Sequence, residues 1–401
     1  MILKTAPFRH CKLFKINKNL THFPKSLVSK LKLREQTNSL RRLPLSNNWV
    51  DFSSNDYLGF AKNETIFNQA HQYLIDTNLK VNGASGSRLL TGNHAIYQET
   101  ETLIAQFHQA ESALIFNSGY DANVGFFSAV PQRNDVILFD EYVHASIRDG
   151  IKMSFAKSYK FEHNDLNDLE ILIQKNKSTE NEIYIVTESV FSMDGDSPDI
   201  EKLVAISQKN NCLLIIDEAH ALGVFGKNGC GLIQESGFQN EIFARIMTFG
   251  KGLGCHGAAV LGSKELNNYL VNFAKSFIYT TGLSPHSVAT ILVAYQQLEK
   301  EAETIQKLRK NILFFNQQKT LLNLKPLFVR NKSSIQSAII PGNEKVKTIA
   351  TYLQKKGFDA KAILSPTVPE GQERLRFCIH SYNTEQEIQR VLELLSEVIH
   401  A

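Results

Sequence analysis

The chain has 401 residues, of which 43% are hydrophobic and 21% charged, a composition typical of a globular protein with a large apolar core. Lysine and arginine total 44 against 40 for aspartate and glutamate, so the net charge of +4 does not favour a nucleic-acid-binding protein. No apolar run reaches the roughly 18 residues that a membrane helix needs. We therefore expect a globular protein that binds neither nucleic acid nor a membrane.

The cysteines and the N-terminus bear on cellular location. The five cysteines are scattered and odd in number, which predicts no disulfide framework and no metal site, and which is typical of a reducing compartment. Nine lysines and arginines precede the first acidic residue, Glu35. This start is lysine-rich and serine-poor, so it does not match a transit peptide or a secretory signal. We expect a cytoplasmic protein with an N-terminal arm over residues 1–50, and organelle targeting is the less favoured alternative.

Apolar runs separated by helical patterns predict a large α/β domain over residues 51–287, with a mostly parallel sheet sandwiched by helices. The helical patterns cover His94–Gln109 and Ile200–Lys209, and Asp199 is the predicted N-cap of the second. The runs that indicate buried strands are Ala113–Phe116, Val136–Phe139, Ile183–Val186, Leu213–Ile216 and Ala258–Leu261.

The pattern changes after about residue 285 and predicts a smaller α+β domain over residues 288–401. We expect it to begin with one long helix, Val288–Leu322, whose outer face is rich in lysine and glutamate. The predicted elements that follow are a strand Ile335–Ile340, a helix Glu344–Lys356, a strand Arg374–His380 and a helix Thr384–His400.

Residues with catalytic chemistry follow the predicted strands, where open parallel sheets bind their ligands. Asp217 directly follows the apolar run Leu213–Ile216, and His220 stands three residues later. A carboxylate and an imidazole can therefore face one bound heterocycle. Taken alone, the pair is equally well explained as a strand end with an ordinary helix cap. A metal site would need further ligands.

Lys251 lies in the glycine-rich segment Met247–Gly254. A desolvated lysine loses its charge more readily and becomes a nucleophile that can form a Schiff base. The hydroxyl of Thr248 is placed to bind a phosphate. The nucleotide-loop spacing GxxxxGK[ST] is absent, and a solvated loop lysine is the alternative interpretation.

Two further segments complete the set of candidate residues. Ser118, Gly119 and Tyr120 stand before a predicted helix, whose first backbone amides can cradle a phosphate. His144 follows the run Val136–Phe139, although a lone histidine is more often a satisfied core or surface group. These residue types match one cofactor, pyridoxal phosphate. An aspartate suits its pyridine nitrogen, a histidine its phenolic oxygen, a lysine an imine with its aldehyde, and backbone amides its phosphate.

The motifs that carry a family resemblance are Phe52–Gly59, Thr187–Asp196, Asp217–His220, Thr248–Lys251, Pro366–Pro369 and Arg374–Arg376. With these motifs in this order, the sequence from about Phe23 to its end resembles the α-oxoamine synthases, which are fold-type I pyridoxal-phosphate enzymes. The resemblance implies a homodimer with active sites at the subunit interface. It also implies condensation of an amino acid with an acyl thioester of coenzyme A or acyl carrier protein, with loss of carbon dioxide. The motifs are most similar to the branch that joins L-alanine to a pimeloyl thioester in biotin biosynthesis.

The resemblance also implies a role for each matching residue. Lys251 would bind the cofactor and act as base and acid at the substrate α-carbon, and Asp217 would pair with the ring nitrogen. His220 and Ser192 would lie near the phenolic oxygen, His144 would stack on the ring, and Glu188 would lie near the cofactor. The phosphate would be held by Ser118, Gly119, Tyr120 and Thr248, and by Thr280 and Thr281 contributed across the subunit interface. The substrate contacts would come from Arg41, Asn55, Thr367 and Arg376.

Two departures from the family pattern leave other substrates open. Ser87 and Arg88 stand where some biotin-pathway members have glycine and histidine, and Leu364 stands where some have arginine. The alternatives are family members that use glycine or serine, or that make long-chain amino ketones. A more remote alternative is a scaffold that binds pyridoxal phosphate without turnover.

Overall fold

The computed structural model describes residues 23–41, residue 43 and residues 48–400. The chain divides into two compact units, residues 1–46 and 47–401. The described part of the first unit contains helix α1, Lys25–Gln36, in which no residue is buried. Residues 1–22 of the predicted arm lie outside the described residues. No described helix is both long and apolar enough to cross a membrane.

The second unit alternates strands and helices, as the apolar runs predict. In the described part of the chain the strands are β1 (Val50–Asp51), β2 (Ser112–Phe116), β3 (Val136–Asp140), β4 (Lys157–Phe161), β5 (Ile183–Glu188), β6 (Leu213–Asp217), β7 (Ala244–Thr248), β8 (Ala258–Gly262), β9 (Ile335–Ile339), β10 (Phe358–Asp359), β11 (Lys361–Ile363) and β12 (Arg374–Cys378). The helices after α1 are α2 (Glu64–Asp76), α3 (Ala95–Phe107), α4 (Gly119–Ala129), α5 (Ala145–Met153), α6 (Leu166–Asn176), α7 (Ile200–Asn210), α8 (Leu232–Glu235), α9 (Lys264–Phe273), α10 (Lys275–Ile278), α11 (Pro285–Leu298), α12 (Ala302–Leu321), α13 (Asn343–Lys355) and α14 (Glu385–His400).

Seven strands form the main sheet, in the order β2-β8-β7-β6-β5-β3-β4. The sheet is mostly parallel, because β8 alone runs antiparallel to both of its neighbours. Glu188 pairs in register with Asp217 across β5 and β6. The carboxyl ends of strands β3, β5, β6 and β7 therefore lie on the same side of the sheet. Their last residues, Asp140, Glu188, Asp217 and Thr248, lie side by side there.

The sheet is covered on both faces, which confirms the predicted fold class. Alternate strand residues enter two different apolar clusters: Val186 packs with helices α4, α5 and α9, and Ile185 packs with α6, α7 and α8. Full burial of one such side chain stabilises the fold by about 1.5–3 kcal/mol. Asp199 caps α7 as predicted, because its side chain accepts from the Lys202 amide.

Three differences from the prediction have physical reasons. Strand β4 carries no apolar run, because its first four residues are exposed at the sheet edge. Strand β7 contains the buried Arg245, which interrupts the apolar run that would have predicted a strand. Residues 288–322 are mostly helical as expected, but the prediction of one continuous helix is wrong. They form two helices, α11 and α12, separated by the charged turn Glu299–Glu301, and α11 packs on α2 and α3 while α12 packs on α14.

A second, antiparallel sheet has the order β11-β12-β9, with helices α12, α13 and α14 beside it. Residues 47–401 form one compact unit, and the division at residue 287 into a large and a small domain stays a prediction. Strand β12 carries Arg374 and Arg376, and the Arg374 guanidinium pairs with Asp194 in the loop after β5. This ion pair connects the second sheet to the loop at the carboxyl end of β5 in the main sheet.

Candidate active site

Asp217 is the last residue of β6 and is buried, with 4% of its surface exposed. Its carboxylate accepts hydrogen bonds from Asn123 Nδ2 and from the Ala219 amide, both at 2.9 Å. These donors stabilise the charged form, which a buried carboxylate needs in order to stay ionised. These two hydrogen bonds fix the orientation of the Asp217 carboxylate at the end of β6.

A hydrogen-bonded series connects Asp217 to His144. Asn123 Nδ2 lies 3.0 Å from the Ser146 hydroxyl, which lies 2.7 Å from His144 Nδ1. His144 caps helix α5, and its backbone amide donates to Glu188 Oε1 at 2.6 Å. Burial lowers the pKa of His144, and the nearby Lys251 lowers it further, so its ring is neutral at pH 7. A neutral imidazole that is fixed through Nδ1 and through its backbone can present its face to a planar ligand.

Lys251 follows β7 in a turn that packs tightly against the segment after Asp217. A Cβ on Gly252 would lie 2.2 Å from the Leu222 carbonyl oxygen, so this position accepts only glycine. The Lys251 amine lies 2.8 Å from His220 Nε2. Burial lowers the pKa of the amine, which is the change that makes a lysine nucleophilic.

Beyond His220 the network continues to an arginine. His220 Nδ1 lies 2.6 Å from the Tyr57 hydroxyl, and Tyr57 is 3.3 Å from Asn55 Oδ1. Arg376 Nη2 donates to Asn55 Oδ1 at 2.7 Å. Arg376 Nε is buried and has no hydrogen-bond partner among the described residues. The guanidinium therefore keeps a free donor for a ligand, and an anionic group such as a carboxylate suits it.

The start of helix α4 forms an anion cradle beside Thr248. Ser118 caps the helix by accepting from the Asp121 amide at 3.0 Å. A Cβ on Gly119 would lie only 2.5 Å from Thr248 Oγ1, so glycine leaves the first helical amides open. Backbone amides at a helix start favour a phosphate through their partial positive charge. The side chain of Tyr120 points away and donates to Asp149 Oδ2 at 2.9 Å, so only its amide faces the cradle.

Glu188, the last residue of β5, is buried and accepts a hydrogen bond from the His144 amide. Burial raises the pKa of Glu188 to about 8, and the charge of Asp217 adds to this. Ser192 is buried in the loop between β5 and α7. Arg374 holds this loop through Asp194, and His163 holds it through Asp196 at 2.8 Å.

Four predicted site residues, Thr280, Thr281, Thr367 and Arg41, make none of the contacts described above. Thr280 accepts a hydrogen bond from Asn117 of the same chain through its hydroxyl, and Thr281 does so through its carbonyl oxygen. Thr367 is exposed on the loop after β11. Arg41 belongs to the N-terminal unit, so its contact with the site stays a prediction.

Sequence reasoning missed three residues: Tyr57, Asn123 and Ser146. Tyr57 lies inside the motif Phe52–Gly59, but nothing in the sequence shows that it meets His220. Asn123 is one helical turn beyond Gly119, and Ser146 is two residues after His144. The sequence signal that could have found Asn123 and Ser146 is a polar residue placed one helical turn, or two positions, after a candidate site residue.

Comparisons with known proteins identify the family of the chain. Residues 47–395 match the family model of aminotransferases of class I and II. The chain belongs to this family. An 8-amino-7-oxononanoate synthase of Emericella nidulans is 39% identical, with 92% of this chain and 94% of the relative covered. A putative 8-amino-7-oxononanoate synthase of Glaesserella parasuis is 40% identical, covering 86% of this chain and 90% of the relative. These relatives confirm the resemblance to the α-oxoamine synthases.

Solved structures share the fold. The 8-amino-7-oxononanoate synthase of Francisella tularensis has a TM-score of 0.74 and 30% identity, covering 88% of this chain and 99% of the other. A serine palmitoyltransferase of S. paucimobilis has a TM-score of 0.85 at 23% identity, covering 94% and 97% of the two chains, so it shows the fold alone.

The described residues fit pyridoxal phosphate. The cradle that a Cβ on Gly119 would fill suits the phosphate, and the buried carboxylate of Asp217 suits a protonated pyridine nitrogen. The buried amine of Lys251, in contact with His220, suits an aldehyde carbon. His144 supplies a neutral ring face. Each chemical group of the cofactor thus has a matching residue.

Proposed function

We propose that this protein is a pyridoxal-phosphate-dependent acyltransferase that condenses L-alanine with a pimeloyl thioester. The products are 8-amino-7-oxononanoate, carbon dioxide and the free thiol, which places the reaction in biotin biosynthesis. The observation that carries the proposal is the continuous contact from Lys251 through His220, Tyr57 and Asn55 to Arg376. It places an amine for the cofactor and a guanidinium for a carboxylate in one site. The named relatives support the choice of reaction.

When bound, pyridoxal phosphate supplies an electron-accepting ring that stabilises negative charge at the α-carbon of an amino acid. Asp217 would keep the ring nitrogen protonated, and the hydrogen bond from Asn123 orients the Asp217 carboxylate. The α4 amides at Gly119 and Tyr120, together with Ser118 and Thr248, would hold the phosphate. His144 would cover the ring face, while Glu188 and Ser192 would flank it.

Arg376 and Asn55 would bind the carboxylate of the amino acid. A guanidinium fixes the orientation of a carboxylate as well as its charge, so the α-carbon would face Lys251. Lys251 would then remove the α-proton, and later return a proton to the same carbon after the carboxylate is lost. Burial lowers the pKa of Lys251 and so favours the uncharged amine, which is the form that can accept a proton.

The partners and location follow from the family and stay predictions. The acyl carrier is coenzyme A or acyl carrier protein, and Thr367 and Arg41 would contact the acyl substrate. The proposed assembly is a homodimer in which Thr280 and Thr281 reach the phosphate of the neighbouring site. A cytoplasmic location rests on the cysteine pattern and the lysine-rich start.

The test is product identification by mass spectrometry with the purified, cofactor-loaded protein. L-alanine, glycine and L-serine are each supplied with pimeloyl, acetyl and palmitoyl thioesters. We expect 8-amino-7-oxononanoate from L-alanine and pimeloyl thioester, formed at least roughly tenfold faster than any other product, which is about 1.4 kcal/mol of discrimination. A preference for glycine, serine or a longer chain would keep the reaction class and overturn the substrate assignment.

Turnover by the wild type separates an enzyme from the scaffold alternative, and Lys251→Ala tests the assigned site. An enzyme loses its turnover with this variant, because both cofactor attachment and proton transfer depend on the amine. A scaffold would show no turnover in the wild type either. Turnover by the wild type that persists in Lys251→Ala would contradict the assigned site.

A further inference from the structure

Tyr57 joins the two halves of the site, and the sequence motifs assign it no role. It is completely buried, and its hydroxyl is 2.6 Å from His220 Nδ1 and 3.3 Å from Asn55 Oδ1. The positive charge of the Arg376 guanidinium acts on this hydroxyl and favours its ionised form. Burial raises the pKa of Tyr57 well above its usual value, so the phenol keeps its single proton.

The position of that proton follows from the donors around it. A guanidinium has only donors, so Asn55 Oδ1 accepts from Arg376 Nη2 at 2.7 Å. The Tyr57 proton then has two possible acceptors. The His220 nitrogen at 2.6 Å is much nearer than the amide oxygen at 3.3 Å, which already has a donor. Tyr57 therefore donates to His220 Nδ1.

This donation determines the state of the imidazole. Burial lowers the pKa of His220 well below its usual value, and the positive charge of Arg376 lowers it further, so the ring is neutral and carries one proton. With Nδ1 accepting from Tyr57, that proton is on Nε2, the nitrogen 2.8 Å from Lys251 Nζ. Nε2–H donates to the Lys251 amine in its uncharged form, which burial favours by lowering the pKa of the amine.

We propose that Tyr57 is a positioning residue that holds His220 in its Nε2–H tautomer, so that the histidine presents a donor to the cofactor pocket. The donor is aimed where the phenolic oxygen is expected, and Tyr57 connects it to the proposed carboxylate site at Arg376. The link to the phenolic oxygen rests on the proposed function, whereas the tautomer does not.

The experiment reads the tautomer directly. The protein is labelled with ¹⁵N-histidine, and long-range ¹H–¹⁵N correlation spectra are recorded for the cofactor-free and the cofactor-loaded forms. His220→Gln assigns the His220 signals by their loss. We expect the wild type to show the Nε2–H pattern at His220 in both forms. In Tyr57→Phe, which keeps the ring and removes the hydroxyl, we expect this pattern to be lost to a mixture of tautomers.

Tyr295→Phe is the matched control, because Tyr295 is an equally buried tyrosine whose hydroxyl lies 2.9 Å from His108 Nε2, outside the proposed site. It should change the His108 signals and leave those of His220 as they are. A wild-type His220 protonated on Nδ1 would overturn the proposal even if Tyr57→Phe does not fold, and so would an unchanged Nε2–H pattern in Tyr57→Phe. Failure of the proposed condensation with an Nε2–H His220 would contradict the function and not the role of Tyr57.

Discussion

At the scale of single residues, chemistry was predictable where it depends on neighbours in sequence. Asp217 at a strand end and Lys251 in a glycine turn were both identified in this way. Tyr57 was not, because its partner His220 is 163 positions away and the fold alone brings them together. Asn123 is similar, since it is 94 positions from the carboxylate it holds. Long-range hydrogen bonds of this kind leave no local pattern.

The charge of Asp217 gives the first prediction. Asp217→Asn keeps the size of the side chain and removes its negative charge, so the ring nitrogen would lose its ionic partner. We expect kcat to fall by roughly a hundredfold or more, because the charge is buried and water cannot replace it. Steady-state kinetics measure this, with the exposed Asp76→Asn on α2 as the control. An Asp217→Asn enzyme with wild-type kcat would remove Asp217 from the ring-nitrogen site.

His163 gives a prediction about stability and pH. Its ring nitrogens lie 2.9 Å from Asp140 Oδ1 and 2.8 Å from Asp196 Oδ2. Burial alone would lower the pKa of His163, but the hydrogen bonds and charges of these two carboxylates raise it to about 10. Because this exceeds the ~6.5 of an unfolded histidine, the stabilisation is fully present below about pH 6.5 and is lost as the pH rises towards 10.

We expect His163→Gln to lower the free energy of unfolding by about 2–3 kcal/mol at about pH 6 and by much less at about pH 9.5. Urea unfolding at the two pH values gives both numbers. His71→Gln, at an exposed position on α2, should change neither. An equal loss for His163→Gln at both pH values would show that the imidazolium charge does not contribute.

At the scale of elements, five strands of the main sheet (β2, β3, β5, β6 and β8) were predicted closely because each contains a buried apolar run. Strand β4 and the break between α11 and α12 were not predicted, since an exposed edge strand and a charged turn carry no apolar pattern. The start of α4 is the element that matters most for the site. Its use as a cradle depends on the close approach of Gly119 to Thr248.

Gly119→Ala tests that cradle. The added methyl group would meet Thr248 Oγ1 at 2.5 Å and would push the two elements apart. We expect pyridoxal phosphate to bind at least roughly tenfold more weakly, a loss of about 1.4 kcal/mol. Absorbance titration measures the Kd. Gly83→Ala is the matched control, because a Cβ at Gly83 meets nothing within 4 Å. Equal affinity of both variants for the cofactor would exclude Gly119 from the phosphate site.

At the scale of the whole molecule, the main sheet and the second sheet together make the site. The main sheet contributes Asp217 and Glu188, and strand β12 of the second sheet contributes Arg376. The Arg374–Asp194 pair joins them across the loop after β5. The sequence indicated the family, the main sheet and the cofactor, but not these connections, which depend on how the two sheets pack.

The measurement that tests the account most directly is release of labelled carbon dioxide from carboxyl-labelled L-alanine by the cofactor-loaded protein. We predict release only when a pimeloyl thioester is also present, with one equivalent of 8-amino-7-oxononanoate formed for each carbon dioxide. Release should be lost in Lys251→Ala and retained in Lys62→Ala, at an exposed lysine. Release that needs no acyl thioester, or that is unchanged in Lys251→Ala, would contradict the account.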